Sequence, residues 1–523
     1  MELCDTYLFD SINIYPPLND SLMYTKFLKR KNVLPNHYSK HLNTKSHKLD
    51  EKYLKDLKKK KDLSFCEQIL KHDLEYDEKF SSFYNSEHLL DIDENILFMY
   101  YNICMNKLPP LSNRNDYLMI MDRLKSLTGI TNDMIDILEK GMKNKVYMNK
   151  IIIDSFLTKC RTILDDKINP KGVPTNLKSQ FIKSIKNHII KNIRKLNMFI
   201  LDKYISHAID KLGLCAYGGG KTYYENLCKA ELLPNLTPEI VHNFGLDELK
   251  RDLALKKKLA LKLGCDDIDD YMYKHNKYYT SSKDIMDDLE KQKNMMHNKM
   301  GKYFYKNIDN LYDIKPISEQ NMEMTAYYMG PDKGNGGKGV FFINVLHPEK
   351  ISKYELLVLS IHEGIPGHHY ENYLTYKSDK PDYIKTTVYS GYSEGWALYC
   401  ESLYEYSNPK EYYYSLLYRV ERSLRLIIDT GIHYYGWDYD KCFDLMKKHM
   451  KYESDTFIHN QILRYSANPC QALTYKIGEQ VILYLKKEFM KRNSDIKAFH
   501  KIILDIGPCP LELLIKQFRE NIM

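Results

Sequence analysis

The sequence predicts a mainly α-helical body carrying one small patch of β-structure. Three observations lead there. Apolar residues recur at three- and four-residue steps through most of the 523 residues, GVFFINV from Gly339 is the one clear bounded strand, and no repeat of fixed length interrupts the pattern. Hydrophobic content of 43% beside 28% charged residues is ordinary globular composition, enough for a substantial core. The length allows two or three average domains or one large helical body.

In chain order, residues 1–90 are more charged and less periodic, and read as an appended N-terminal region ahead of a main domain at 91–523. NDYLMIMDRLKSLTGITNDMIDILEKGMKN, from Asn115, reads as a helical hairpin broken between Gly129 and Asn132. MNKIIIDSFLTKCRTIL, from Met148, and SQFIKSIKNHIIKNIRKLNMFILDKYISHAI, from Ser179, continue the helical period. The strand GVFFINV is bounded by the turn PDKGNGGKG and by HPEK. A helix then starts with Pro348 in its first turn and continues through KYELLVLSIHEG, from Lys353.

The net charge of +8 is diluted over the chain, and Lys58 to Lys61 is too short a run to mark a nucleic-acid face. No nucleic-acid partner is expected. The eleven cysteines are scattered without a C-x-x-C pair, which points to a reducing compartment. The N-terminus lacks a basic patch followed by an apolar run, and no segment approaches the ~18 apolar residues of a bilayer span. The expectation is a cytoplasmic protein with no membrane partner. The 45 tyrosines, with abundant Lys, Asn and Ile, reflect AT-rich coding.

Two phosphate-loop look-alikes fall away. GGGKT, ending at Thr222, has Cys215 where G-x-x-x-x-G-K-[ST] needs glycine. GNGGKG, from Gly334, precedes a strand instead of linking a strand to a helix, so the dinucleotide context is missing.

HEGIPGHHYE, residues 362–371, begins like the H-E-x-x-H helix, on which two imidazoles four residues apart grip one metal ion. Pro366 breaks that pattern. Its ring clashes with the carbonyl four residues earlier, which belongs to His362, so the helix must bulge or kink. Treating Pro366 and Gly367 as a two-residue insertion puts His368 in the place of the second imidazole, with Gly367 supplying permissive backbone. The rival ligand is His369, which a regular helix would set on the face of His362. A third ligand from a following helix is available in Glu394 of YSEGWALYCESLYEY, and Glu401, seven residues on, suits a hydrogen bond to a ligand.

HEGIPGHH, SEGWALY and RYSANPCQALTYKIG together resemble the DUF885 family. Upstream, NDYLMIMDRL, LEKGM, GGGKTYYENL, LTPEIVHNFGLDELK and GVFFINV follow in the family's order, covering about residue 90 to the C-terminus. Members of that family are similar to zinc metallopeptidases of the HExxH clan. The resemblance implies a large helical zincin-like peptidase body with a deep channel and a small sheet beside the active helix. It implies one zinc ion on His362, His368 and Glu394, with Glu363 as general base. His369 belongs to the pattern as a neighbour that hydrogen-bonds a ligand or substrate. Arg464, Tyr465, Gln471 and Tyr475 occupy the downstream patterned segment. Cys470 departs from it, standing where glycine is usual.

The chemistry also follows from residue types. A carboxylate beside a metal takes a proton from water that the ion has acidified, and the ion polarises the carbonyl under attack. The oxyanion then needs a neutral, long-reaching donor, for which Tyr475 is the first choice and Tyr465 the second. Arg422, Arg425 and Arg464 are candidates for a substrate carboxylate, although Glu421 or Asp429 would account for the first two as ion pairs. Edge pairing by GVFFINV, with Asn344, is a candidate for holding substrate backbone. The expected activity is zinc-dependent hydrolysis of short peptides. The alternatives are hydrolysis of non-peptide amides or acylated amino acids at the same metal, and an inactive helical binding scaffold.

Overall fold

A computed structural model describes residues 3–14, 40–80, 95–105, 111, 113–305, 307–309, 311–317, 325–331 and 337–522, without the side chains of 12–14 and 40–46. The chain is mainly helical with one three-stranded sheet, and it divides into two compact units, Met1–Leu212 and Gly213–Met523. The change in composition near residue 90 lies in 81–94, outside the described residues, as do positions 332–336 of the glycine-rich turn.

Among the described residues, the regular elements of the first unit are all helices. The segment expected to form a hairpin is interrupted at Lys125–Ser126, between helices Arg114–Leu124 and Leu127–Lys143, and not between Gly129 and Asn132; both linking residues keep right-handed helical dihedrals, so the chain does not fold back as a hairpin there. Leu127, Ile130, Thr131, Met134 and Leu138 make one buried stripe through the expected break, so packing overrides the local glycine signal. The segment from Ser179 alternates α- and π-helical turns down to Tyr204. The four-lysine run is exposed at the C-terminal end of helix Lys40–Lys59, the favourable pole of the helix dipole for cations.

The second unit carries the sheet and the following helices: α1 (Pro238–Leu263), β1 (Asp313–Pro316), β2 (Ala326–Met329), β3 (Val340–Ile343), α2 (Leu356–Glu363), α3 (His368–Lys377), α4 (Ser390–Leu403), α5 (Pro409–Thr430), α6 (Asp455–Ala467) and α7 (Gln471–Met490). The GVFFINV strand is real, but it is the middle strand, parallel to β1 on one side and antiparallel to β2 on the other. It therefore has no free edge for a substrate. Val340, Phe341 and Ile343 are buried, and the most apolar strand takes the position with two neighbours. Asn344 is likewise committed locally, its side-chain oxygen accepting from the Leu346 amide at 3.1 Å.

Pro348 opens only a single 3₁₀ turn, Pro348–Lys350, and α2 starts at Leu356. Between them the backbone pairs with residues 277–279: Tyr279 N donates to Ile351 O at 3.2 Å and Lys353 N to Lys277 O at 2.8 Å. Those bonds replace helical ones. At the centre of the unit, α5 is capped by the Asn408 side chain on Lys410 N with Pro409 in the first turn, and every residue from Val420 to Thr430 is buried. It packs on α1, α2, α6 and α7, while β2 lies against α2 and α3.

Candidate metal centre

Pro366 ends α2 as its chemistry requires. Gly364 N still bonds Ser360 O at 3.1 Å, but the next bond of this kind, from Gly367 N to Ile361 O at 3.0 Å, spans six residues (367 − 361), two more than an α-turn. The Ile365–Pro366 peptide is cis. The Pro366 carbonyl, freed from helical bonding, accepts from Trp396 Nε1 of α4 at 2.9 Å. At Gly367, with φ −73° and ψ −131°, a Cβ would lie 2.0 Å from the His362 carbonyl oxygen, so the position has room for glycine alone.

This detour brings one ligand atom each of His362, His368 and Glu394 within 4.8 Å of one another, and they are the group of metal-type donors assembled among the described residues. Glu394 Oε2 stands 3.3 Å from His362 Nε2 and 3.6 Å from His368 Nε2. The two rings are nearly perpendicular, at 87°. Tetrahedral ligands held at about 2.0–2.2 Å from an ion lie about 3.3–3.6 Å apart, so both separations suit such an ion. Glu394 Oε2 is also buried without a hydrogen bond, an orphaned oxygen that a cation would satisfy.

The electrostatics favour positive charge at this point. Burial opposes an imidazolium at His362, yet Glu394 and Glu401 overcome it and push its pKa up to about 10. His368 is raised in the same way, against burial, chiefly by Glu394. Burial would raise Glu394, but the two imidazoles hold it well below the usual carboxylate range. Glu363, on the last turn of α2 beside His362, is buried, and burial raises its pKa against the lowering effect of His362, His368 and Arg422.

The far nitrogens of both imidazoles are oriented. His362 Nδ1 meets Glu401 Oε1 at 2.7 Å, the contact expected for Glu401. His368 Nδ1 meets Ser393 Oγ at 3.2 Å, and that hydroxyl donates to Glu371 Oε1 at 2.7 Å. Burial pushes the Glu371 carboxyl up to about 7. Sequence reasoning missed Ser393 and Glu371. The available signals were Ser393's place next to Glu394 and Glu371's spacing of three from His368, one helical step on. His369 lies outside the donor group: its Nδ1 meets Tyr328 Oη of β2 at 2.9 Å and its ring packs on Tyr312. Once α3 restarts at His368, successive side chains diverge by about 100°, so His368 and His369 cannot face one ion together.

Helices α4 and α7 cross with backbones almost touching, since a Cβ on Gly478 would lie 2.0 Å from Gly391 O. Tyr475, one turn before Gly478 on α7, packs its ring against Arg425 of α5 and Arg464 of α6. Its hydroxyl accepts from Arg464 Nη2 at 2.9 Å, and its own proton meets no protein acceptor among the described residues. Tyr465 is committed, donating to Gln461 Oε1 at 3.0 Å. Gln471 Oε1 accepts from Arg464 at 2.9 Å. Arg422 and Arg425 both bind Glu421, at 2.9 and 2.7 Å. Asp429 instead accepts from the Tyr224 hydroxyl and the Cys470 amide.

Cys470 has φ = 72°, the left-handed region where glycine is at ease and a cysteine is not. Cys470→Gly is expected to change stability by under about 1 kcal/mol, because relief of backbone strain offsets lost packing. Cys470→Val should cost about 2 kcal/mol or more, since β-branching worsens the strain. Denaturant unfolding of the two variants checks that order.

No curated protein matches the sequence. Among solved structures, the fold is similar to a "putative lipoprotein" from Colwellia psychrerythraea, with a TM-score of 0.84 at 19% identity, covering 99% of this chain and 97% of that one. A "putative lipoprotein of unknown function" from Shewanella oneidensis matches with a TM-score of 0.74 at 14% identity, covering 99% of each chain. At these identities the likeness is one of fold. No helix among the described residues is long and apolar enough to cross a membrane. The sequence profile of one family, described as "Bacterial protein of unknown function (DUF885)", matches residues 26–518, and the chain belongs to that family.

Proposed function

We propose that this protein is a zinc-dependent hydrolase of peptide bonds in short peptides, with a zincin-like arrangement of active helix and flanking sheet. The observation that carries the reading is the convergence of His362, His368 and Glu394, with the buried Glu394 Oε2 at 3.3 and 3.6 Å from the two imidazoles and no hydrogen bond of its own. Those three side chains would hold the ion. Zinc bound there would supply acidification of a water molecule and polarisation of a carbonyl.

The rest is work for the chain's own groups. Glu363, whose pKa burial raises above the usual carboxylate value, takes a proton from the attacking water and hands it to the departing amine. Tyr475, with Arg464 donating to its oxygen, turns its own proton to the oxyanion. Glu401 and the Ser393–Glu371 pair keep the ligand imidazoles turned the right way. Eleven cysteines in no disulfide favour a reducing, cytoplasmic setting.

Elemental analysis of the purified full-length protein should find one zinc per chain, removable by a chelator. Hydrolysis across a dipeptide library should disappear with the metal and return when zinc is added. Protein that neither binds zinc nor gains hydrolysis from it would leave only a binding scaffold. Glu401→Gln should weaken zinc binding about 10- to 100-fold in chelator competition, because the His362 ring loses its anionic acceptor. Unchanged affinity would remove Glu401 from the site.

A further inference from the structure

A second cluster of charge lies beside the metal donors. Glu421 is the carboxylate that takes both Arg422 and Arg425, while Arg464, on α6, bonds only the neutral Gln471 and Tyr475 among the described residues. Two guanidiniums thus share one carboxylate, and the third is bonded to none among the described residues. The shortage shows in the hydrogen bonding: Arg422 Nε and Arg425 Nε and Nη1 are buried without a hydrogen bond. The side chains of Arg422 and Arg425 are only 10% and 6% exposed, so bulk water is a poor substitute partner. Arg425 and Arg464 both lie over the Tyr475 ring, at 4.4 and 5.6 Å from its centroid. Arg464 and Gln471 are half-buried, which leaves the cluster one side open to solvent.

The cluster adjoins the metal donors. Helix α5, with Arg422 and Arg425, packs on α2, which carries His362 and Glu363, and on α7, which carries Tyr475. Arg422 is near enough for its charge to act on Glu363. A buried excess of planar, forked donors next to a hydrolytic centre is suited to a carboxylate, which accepts two parallel N–H bonds from such a fork.

We infer that Arg425 and Arg464, flanking Tyr475, bind the free C-terminal carboxylate of a peptide, so that the chain acts on peptide ends and small peptides and not on internal bonds. The assignment rests on the peptidase reading for its substrate, but its test does not need turnover. Arg464 is the residue to change, because its partners are neutral and its loss strands no buried charge.

The experiment is calorimetric titration of the zinc-loaded, full-length Glu363→Gln protein with N-acetyl-dialanine and with its C-terminal amide. The free acid should bind about 10- to 100-fold more tightly than the amide, the range of a charge-assisted pair against a neutral one. Arg464→Gln in that background should cut the preference to under about 3-fold, and Arg464→Lys should restore part of it. Equal binding of acid and amide, no binding of the acid, or a preference untouched by Arg464→Gln would each overturn the inference. A third pair, N-acetyl-Ala-Asp-amide against N-acetyl-Ala-Asn-amide, should show no comparable difference. A preference that follows the aspartate side chain overturns the C-terminal assignment. An acid preference that persists in protein that neither holds zinc nor hydrolyses any peptide would keep the subsite and remove the peptidase.

Discussion

Glu363→Gln is expected to lower hydrolysis about 10²- to 10⁴-fold while leaving zinc content at one ion per chain. The substitution keeps size and hydrogen-bonding shape, and it removes none of the three donors that converge on the centre, His362, His368 and Glu394. It removes the basic oxygen. Glu363 sits one residue after His362 at the end of α2, buried, and its carboxyl is lifted by that burial. A carboxylate in that condition is a better proton acceptor than one in water, and an amide is none at all. Metal analysis and single-turnover hydrolysis on the same preparation check both halves. Loss of metal together with activity would make Glu363 a structural residue, and full activity would remove it from the chemistry.

Gly478→Ala is expected to destabilise the fold by about 3 kcal/mol or more, the high end for an overpacked core. The new Cβ would lie 2.0 Å from Gly391 O, and across the same crossing a Cβ on Gly395 would lie 2.4 Å from the Gly478 carbonyl carbon. These are backbone atoms of two buried helices, so no side chain can swing aside to make room. The helices must move apart. Glu394 precedes Gly395 on α4, so separation also pulls the third donor from His362 and His368. The variant should therefore lose zinc affinity along with its unfolding temperature. A melting curve superimposable on that of the parent protein would show that the crossing opens at little cost and does not position Glu394.

Much of the helical layout is legible in the sequence because it depends on neighbours a few residues away. The period of three and four marks the helices, and Pro366 marks the end of α2. The break at Lys125–Ser126, missed in favour of Gly129, shows where that reasoning stops. A glycine signals weakness in an isolated helix, but a buried stripe through Leu127, Ile130 and Met134 is a stronger, non-local term. The strand Val340–Ile343 was recognisable, yet its two neighbours, and hence its lack of a free edge, come from residues 313–316 and 326–329.

Local chemistry can be read directly from the order of residues. A proline four residues after His362 cannot continue that helix, and the histidines and glutamates that follow are the right types to surround a cation. Which of them meet depends on how the helices pack. His368 turns to His362 and Glu394, whereas His369 turns to Tyr328 on the sheet; Arg422 and Arg425 share Glu421, and Arg464 goes to Tyr475. The physical reason is that a side chain's direction is set by where its helix restarts and by what packs against it. The contacts that separate the two histidines, His368 with Glu394 and His369 with Tyr328, reach 26 and 41 positions along the chain, beyond any short-range pattern.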